Sequence, residues 1–386
     1  MKKIIMYSTS ELFGSRVTGG LKRFLELYYG LISRGYKVEL YSADNRNTLK
    51  ANGIDGHTLK SVDAKGSVLL PAEVNIMIKN FNLIKKIKKD SFDKVIVFDV
   101  PTAFSLSIVG IKNIQLFIRQ DLLEYKNISL SNRCNSKLLI SIYLKLLKYI
   151  ELFCLLRAEK IIVQCKYDVN KLISRHKIFA KKITSKTHVK INNVNPSWIV
   201  KNSRNQNKDA HISLEQINSR FTISFVGDFN NDRKGQRIFI DAIKDLVSKG
   251  YNVSTLVMGD GKQLERYIEE CKSYKNIHFL GRVNNPIKIM EKSNLLVVPS
   301  LADSCPNTVM EALYIGVPVI GSLSGGIPEI LTNKASLFAP NSMDLEQKII
   351  KLMDSDELEY IMEQQVIRKN ELIFNWADDI ITIINI

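Results

Sequence analysis

The feature that most constrains the fold is a regular alternation between short apolar segments and amphipathic helical patterns, which occurs twice along the chain. The first series opens with the segment Lys3–Ser8 and a helix at about Leu21–Ser33. The second opens with Phe221–Val226 and the helix Gln236–Lys249. Apolar strands that alternate with helices are typical of parallel sheets covered by helices on both faces. The sequence therefore predicts an α/β fold with two doubly wound, Rossmann-like parallel-sheet domains.

The stretch between the two series marks the predicted domain boundary. Residues 192–220 are rich in Asn, Ser and Lys and contain one Pro, which is typical of a linker. We place the first domain at residues 1–195 and the second at 196–370. Because ligands of such sheets bind outside the carboxyl ends of the strands, the residues just after each strand are the candidates for a site.

The cysteines and histidines indicate neither a metal site nor disulfide bonds. Five cysteines are scattered without a C-x-x-C pair, and five histidines form no H-x-x-x-H pattern; this fits reduced thiols in a cytosol. The N-terminal apolar segment turns polar after about five residues, too early for a secretion signal. No charge-free apolar run approaches the roughly 18 residues of a membrane span. We therefore expect a cytoplasmic protein without a bound metal.

The formal net charge of +16 is distributed unevenly. Residues 1–200 contain 34 Lys and Arg against 15 Asp and Glu, whereas the remainder contains 21 against 24. Such an excess favours an anionic partner for the first half: nucleic acid, an acidic membrane or a phosphate-bearing substrate. A solvated lysine surface is the alternative, and it is weakest where lysines cluster, in residues 85–89 and 166–190.

Two loops of the second domain are suited to bind phosphate. The loop after its first strand places Arg233 and Lys234 directly before a helix. Two cations at the mouth of a parallel sheet suit a diphosphate, although a solvated turn would have the same pattern. A later loop between a strand and a helix contains Gly325 and Gly326, whose backbone N–H groups can bind an anion.

A third loop carries two carboxylates. Asp303 follows the strand Asn294–Pro299. Glu311 lies one turn inside the next helix, which Asn307 or Thr308 can cap. Both carboxylates then face the crevice at the strand ends and can accept hydrogen bonds from sugar hydroxyls. A capped helix with a surface glutamate is the alternative for this loop alone, but three such loops in one domain are much less expected by chance.

These loops together resemble the signature of family 4 (group 1) retaining glycosyltransferases, which have the GT-B fold. The matching positions are Pro299-Ser300, Asp303, Glu311-Ala312, Gly316-Val317-Pro318-Val319 and Gly325-Gly326-Ile327-Pro328-Glu329. Gly227–Gly235 also resembles the family's diphosphate motif, and Phe374-Asn375-Trp376 its segment before the terminal helix. The resemblance implies two domains with a cleft between them and a C-terminal helix, residues 371–386, that returns to the first domain.

The resemblance also implies a role for each matching residue. Lys234, with Arg233 beside it, would neutralise the donor diphosphate. Asp303 would contact the donor sugar and Glu311 the donor ribose, so these are the predicted catalytic carboxylates of the second domain. The further predicted donor-binding residues are Gly227, Arg282, Asn307, Thr308, Gly325 and Gly326.

The sequence departs from the family pattern in two places, the diphosphate motif and the position of the first carboxylate. The usual Arg after the first glycine is Asp228, and the spacing from Gly227 to Lys234 is one residue longer. We hypothesise that Arg233 supplies the missing cation. Asp303 stands where the family has Glu, so its side chain is shorter by one methylene.

The first domain has fewer recognisable residues. Thr18-Gly19-Gly20 resembles the family's double-glycine loop, which implies that Gly19 and Gly20 approach the donor phosphate and the acceptor. Asp99 occupies the place where many family members have His. Asp121, in Arg119-Gln120-Asp121 after the following strand, is the alternative acceptor-side group. Both aspartates are candidate catalytic residues, and each could instead be a helix cap or a loop residue.

The helix Lys137–Arg157 is strongly apolar, and we expect it to be a core helix. Alternatively, its lysines and those of residues 85–89 could lie against anionic lipid, where each contributes about 1 kcal/mol. A lipid-diphosphate-linked glycan acceptor at the inner leaflet of the membrane would explain this charge.

The resemblance implies the transfer of a glycosyl group from a UDP- or GDP-linked sugar to a glycan or lipid-linked glycan, with retention and without a metal or cofactor. The family setting implies bacterial O-antigen, capsule or lipopolysaccharide biosynthesis. A sugar-nucleotide epimerase is one alternative, but it needs acid–base residues of its own in the first domain. A nucleic-acid-binding protein would explain the charge but not Asp303, Glu311 and the paired glycines, so we expect no nucleic-acid partner.

Overall fold

The chain divides into two compact units. The computed structural model describes residues 2–14, 19–60, 72–131, 136–195 and 221–385. Thr18 and the part of the predicted linker from residue 196 to 220 lie outside these ranges. The N-terminal unit comprises Met1–Leu123, Ser136–Lys190 and Asn375–Ile386, and the C-terminal unit comprises Glu124–Asn135 and Ile191–Phe374.

A seven-stranded parallel sheet forms the centre of the N-terminal unit, in the order β3-β2-β1-β4-β5-β6-β7. Its strands are β1 Lys3–Tyr7, β2 Lys37–Ser42, β3 Gly56–Thr58, β4 Lys94–Val97, β5 Ile114–Ile118, β6 Lys160–Val163 and β7 Thr187–Val189. The α-helices between them are α1 Gly19–Ser33, α2 Arg46–Ala51, α3 Ala72–Lys79, α4 Phe81–Lys89, α5 Val100–Ser107, α6 Leu122–Ser131, α7 Lys137–Arg157, α8 Lys166–Arg175 and α9 Ala180–Thr184.

A six-stranded parallel sheet forms the centre of the C-terminal unit, in the order β10-β9-β8-β11-β12-β13. Its strands are β8 Phe221–Val226, β9 Val253–Met258, β10 Ile277–Gly281, β11 Leu295–Val298, β12 Val319–Ser322 and β13 Leu337–Phe338. The α-helices that follow in the chain are α10 Gln236–Ser248, α11 Leu264–Glu270, α12 Pro286–Met290, α13 Asn307–Ile315, α14 Ile327–Ile330, α15 Ser342–Leu352, α16 Ser355–Glu371 and α17 Trp376–Ile383.

The two sheets confirm the predicted α/β class. Strands β5 and β9 are buried at every position, as expected for parallel strands with helices on both faces. In each sheet the chain starts near the centre, builds outward on one side and then crosses to the other. The order therefore reverses between β1 and β4 and between β8 and β11, and the loops at such switch points are where doubly wound sheets bind ligands.

The last helix, α17, belongs to the N-terminal unit, although the chain reaches it only after the C-terminal unit. Trp376 is buried, and its ring contacts Phe117 and the guanidinium of Arg23, whose Cζ lies 5.6 Å from the ring centroid. Asp379 forms an ion pair of 2.5 Å with Lys190. The buried residues Ala377, Ile380 and Ile381 complete the apolar face of this helix.

Helix α7 differs from the predicted core helix. One side is buried, through Leu147, Ile150, Cys154 and Leu155, and packs near α5, where the Cys154 thiol lies 3.6 Å from the Val100 carbonyl oxygen. The opposite side is exposed, although it is also apolar. The prediction was wrong for this side because α7 has apolar residues all round, while only one side of a helix can face a sheet.

Candidate functional site

The candidate site lies at the carboxyl ends of β8, β11 and β12 in the C-terminal unit. Because β11 pairs with both other strands, the loops that follow the three strands are neighbours. We call the loops Gly227–Gly235, Pro299–Pro306 and Leu323–Gly326 the three-loop site. Backbone hydrogen bonds join them: Leu301 N donates to Arg233 O at 2.8 Å, and Gly326 N donates to Asp303 O at 2.9 Å.

Two cations of the first loop meet one carboxylate of the second. The Lys234 ammonium forms an ion pair with Asp303 Oδ2. Arg233 Nη1 lies 3.8 Å from the same oxygen and donates to the Ala302 carbonyl oxygen at 2.9 Å. The structure thus brings the two predicted diphosphate-binding residues and the predicted sugar-binding carboxylate into one cluster.

The cluster is largely shielded from water, with only 13% of the Asp303 and Arg233 side chains exposed. Burial alone would raise the pKa of Asp303, but the charges of Lys234 and Arg233 outweigh burial and hold that pKa below its usual value. The carboxylate is therefore ionised at neutral pH. It neutralises part of the positive charge that an anionic ligand would meet.

Two buried polar atoms at this site have no hydrogen-bond partner among the described residues: Arg233 Nε and Ser300 Oγ. Leaving a buried donor unsatisfied costs about 1–3 kcal/mol. A ligand that accepts from these groups would recover that cost, and phosphate oxygens are suitable acceptors.

Gly325 allows the second and third loops to touch. Its φ is +59°, in the left-handed region, and a Cβ at this position would lie 2.2 Å from the carbonyl oxygen of Asp303. Any other residue would push the loops apart. Gly326 then directs its N–H to that same carbonyl, so this backbone donor is used within the site.

Helix α13 positions the predicted ribose-binding carboxylate. It begins at Asn307. Pro306 occupies the N-cap position and forms no side-chain hydrogen bond to the first turn. Neither Asn307 nor Thr308 caps the helix, because both already lie in its first turn; instead the Asn307 side-chain oxygen accepts from Asn192 at 3.4 Å. Glu311 follows in the second turn and is half-buried.

The two other predicted donor-binding residues of this unit lie at the same edge of the sheet. Gly227 directly follows β8, and a Cβ at this position would lie 2.8 Å from Cζ of the Phe225 ring. Arg282 follows β10 and is exposed.

Between Gly227 and Arg282 lies a loop that the motif did not include, Gly259–Gly261 after β9. The Asp260 carbonyl oxygen accepts from Phe229 N at 2.8 Å and supports the first loop. The signal was a Gly-Asp-Gly triplet directly after an apolar strand.

The candidate catalytic residues of the N-terminal unit have structural partners. Asp99 caps α5, with Oδ1 accepting from Thr102 N at 2.7 Å. Asp121 is buried and forms an ion pair with Arg175. Arg175 also binds Glu151 through two hydrogen bonds of 2.8 and 2.9 Å. Burial would lower the pKa of Arg175, but the two carboxylates outweigh it and raise that pKa, so the cation is retained.

The predicted double-glycine loop meets a half-buried arginine. Gly19 and Gly20 open helix α1, and a Cβ on Gly20 would lie only 0.7 Å from Arg119 Nη1. Arg119 follows β5 and donates from Nε to Phe98 O at 3.2 Å. Burial lowers the pKa of Arg119, and the nearby Asp99 partly offsets this. A side chain at position 20 would therefore have to displace the Arg119 guanidinium from the strand ends.

Comparisons with known proteins converge on sugar transfer. The family model described as "Glycosyl transferases group 1" matches residues 220–355. An uncharacterized glycosyltransferase of Methanocaldococcus jannaschii is 27% identical over 67% of this chain and 62% of its own length. The capsular polysaccharide biosynthesis glycosyltransferase CapM of Staphylococcus aureus is 27% identical over 56% of this chain and 60% of its own. The match thus spans about three fifths of these relatives.

Solved structures resemble the whole chain. Sucrose-phosphate synthase from Thermosynechococcus elongatus superposes with a TM-score of 0.75 at 14% identity, over 100% of this chain and 98% of the other. HepE from Anabaena, in complex with UDP-glucose, gives 0.66 at 16% identity, over 100% and 98%. WaaG, a glycosyltransferase involved in lipopolysaccharide biosynthesis, gives 0.70 at 16%, over 99% of each chain.

At these identities the structural likeness establishes the fold, and the family match adds the sequence relationship for the unit that holds the three-loop site. The predicted fold is therefore confirmed. Residues 220–355 of this chain match the group 1 glycosyl transferase model, and the chain as a whole has the GT-B fold.

Proposed function

We propose that the protein is a glycosyltransferase that moves a sugar from a nucleoside diphosphate sugar, UDP- or GDP-linked, to a hydroxyl of a glycan acceptor. The observation that carries the proposal is the Arg233–Lys234–Asp303 cluster at the switch point of the C-terminal sheet. The matched group 1 model covers this cluster. The complex of HepE with UDP-glucose supports this class of donor.

The cations of the cluster act on the leaving group. When the glycosidic bond to the diphosphate breaks, negative charge grows on the phosphate oxygens. Lys234 and Arg233 are fixed and mostly buried, so they stabilise this charge without first reorganising. Each charge-assisted hydrogen bond contributes about 1.5–3 kcal/mol. Glu311 binds the ribose, and Asp303 both aligns the cations and contacts the sugar.

The finer chemistry follows from the family resemblance. We propose transfer with retention of configuration and without a metal ion or cofactor, since the two cations supply the positive charge that the departing diphosphate needs. Asp99 and Asp121 remain the candidates on the acceptor side. Their observed roles as a cap and as an ion-pair partner are compatible with holding neighbouring loops in place.

The acceptor belongs to bacterial surface-polysaccharide assembly in this proposal, as an O-antigen, capsule or lipopolysaccharide intermediate. The capsular relative CapM and the neighbour WaaG support this setting. A lipid-diphosphate-linked glycan at the inner face of the cytoplasmic membrane explains why 34 Lys and Arg stand against 15 Asp and Glu in residues 1–200. The protein would then work in the cytoplasm, at an anionic membrane surface.

Replacement of Lys234 tests the function. We expect Lys234→Ala to raise the donor KM or lower kcat so that kcat/KM falls about 10- to 100-fold, because one charge-assisted hydrogen bond to the diphosphate is lost. The measurement is nucleotide release and product formation with a panel of UDP- and GDP-sugars. Lys272→Ala is the matched control, since Lys272 is exposed and forms an ion pair with the exposed Glu269 on the surface of the same unit.

Equal kinetics of Lys234→Ala and wild type would contradict the proposed donor site. The same panel tests the alternatives. A nucleotide sugar whose sugar changes configuration while its diphosphate bond stays intact would indicate an epimerase. Tight binding of DNA or RNA with no effect of any nucleotide sugar on thermal stability would indicate a nucleic-acid-binding protein.

A further inference from the structure

The exposed side of helix α7 is an apolar stripe without a partner among the described residues. Leu138, Ile142 and Tyr149 lie in line along the helix, with Leu139 and Leu146 beside them. Their exposed fractions range from 46% to 71%. Residues spaced by three or four positions share one face of a helix, so these side chains form one continuous surface. A stripe of this size is typical of a binding surface rather than of an ordinary solvated helix.

The stripe is not a surface that α7 needs for packing into the core of its own unit. The opposite side of α7 already packs into the core of the N-terminal unit through Leu147, Ile150 and Leu155. The exposed side chains therefore point away from the fold, and the helix carries two apolar sides with different functions.

The charged residues of α7 that border the stripe are lysines. Lys145 lies within it and Lys148 along its edge, and both are exposed. The only acidic residue of α7 is Glu151, which is buried and bound to Arg175 and His176. The outer surface of the helix is thus apolar and positively charged.

A second exposed segment of the N-terminal unit is also apolar and basic. The short turn Lys177–Phe179 is followed by α9, which contacts α7. In this turn Ile178 is 92% exposed and Phe179 is also exposed, and the exposed Lys181 and Lys182 come directly after it. We call the outer side of α7 together with residues 177–182 the docking face.

We propose that the docking face binds an anionic lipid bilayer, with Leu138, Ile142 and Leu146 at the acyl boundary and the lysines on the headgroups. A bilayer offers both apolar depth and negative charge, which this surface requires together. A second copy of the chain would bring lysines against lysines, so charge disfavours self-association. Within the described ranges no helix is long and apolar enough to cross a membrane.

This inference rests on the proposed function in one respect: a membrane-borne acceptor is the reason why the protein would bind a bilayer. Membrane binding is therefore measured apart from sugar transfer, by flotation of the full chain with vesicles. We expect binding to vesicles of phosphatidylcholine with phosphatidylglycerol and much weaker binding to phosphatidylcholine alone, since each lysine near an anionic surface increases partitioning about fivefold.

Two variants test the face. Leu138→Ser with Ile142→Ser removes apolar contact and should reduce partitioning roughly tenfold or more. Lys145→Glu with Lys148→Glu should reduce binding to anionic vesicles while leaving the weak binding to neutral ones. The matched control is Val366→Ser with Ile367→Ser, two similarly exposed apolar residues on α16 of the C-terminal unit, which should bind as wild type does.

The proposal would be overturned if both α7 variants bound anionic vesicles as wild type does, or if the control lost binding to the same extent. It would also be overturned by a wild-type dimer that fails to bind vesicles and dissociates in the Leu138 and Ile142 variant. Nucleotide release in solution separates the two proposals. Docking-face variants that lose vesicle binding but retain donor turnover support this one, whereas wild-type docking without any donor turnover would defeat only the proposed function.

Discussion

Gly325 shows how much a single residue contributes to the three-loop site. Gly325→Ala combines a left-handed φ of +59° with a clash of 2.2 Å against the Asp303 carbonyl oxygen, so the second loop must move and carry Asp303 away from Lys234. We expect a loss of stability of about 1–3 kcal/mol and a donor KM raised by roughly tenfold. Thermal unfolding and donor kinetics measure the two effects.

Gly250 provides the control for backbone strain alone. Its φ of +83° is also left-handed, but a Cβ there would have no atom within 4 Å. Gly250→Ala should therefore lower stability by about 1 kcal/mol and leave the donor KM unchanged. If both variants raised KM equally, contact between the loops would not be the role of Gly325.

The sequence allowed the residues of the site to be identified, but it did not allow the contacts between them to be predicted. The spacing of the motif identified Arg233, Lys234 and Asp303 because their residue types suit phosphate and sugar hydroxyls. It could not reveal that Asp303 pairs with both cations, since the ends of long side chains depend on how separate loops meet. Nor could a sequence pattern distinguish Asp99 as a helix cap from Asp121 as a buried ion-pair partner.

At the scale of helices and strands, hydrophobic periodicity predicted most of what the structure contains. The predicted strands at residues 3–8 and 221–226 agree with β1 and β8 to within one residue, because buried parallel strands are short apolar runs between polar turns. The prediction for helix α7 was wrong on one side for the converse reason. Periodicity identifies a helix through a polar side, and where both sides are apolar it cannot show which of them faces the core.

The ion pairs between α11 and α10 should make the stability of the C-terminal unit depend on pH. Arg237 donates two hydrogen bonds to Glu270, at 2.6 and 2.8 Å, and Lys244 donates a third at 3.1 Å. The Arg237 hydrogen bonds first, and then Lys244, lower the pKa of Glu270 from 4.5 to about 2. Because the folded pKa is the lower one, the carboxylate stabilises the fold above pH 4.5 and loses this effect as the pH falls towards 2.

Glu270→Gln tests this linkage. The group is partly exposed, so we expect a loss of only about 1 kcal/mol at neutral pH. The difference in stability between wild type and variant should shrink as the pH is lowered through the range from 4.5 to about 2. Unfolding by denaturant at several pH values measures it. A difference that stayed constant down to the lower end would show that the ion pair is not its source.

At the scale of the whole molecule, the sequence indicated two α/β series and a charge confined to the first. These features are sums over many residues, so errors in single positions do not affect them. The membership of α17 in the N-terminal unit is different in kind. Periodicity indicates only that the last residues form an amphipathic helix, and the family resemblance alone implied where it returns.

The end of the chain should therefore stabilise its beginning. Trp376→Ala removes a buried ring from between Arg23 and Phe117, and such truncations cost about 3–5 kcal/mol. We expect faster hydrogen exchange in α1 and β5 of the N-terminal unit, while β8 and β9 of the C-terminal unit keep their protection. Tyr360→Ala, on the exposed side of α16, should change neither. Loss of protection confined to the C-terminal unit would show instead that α17 stabilises the unit that precedes it in the chain.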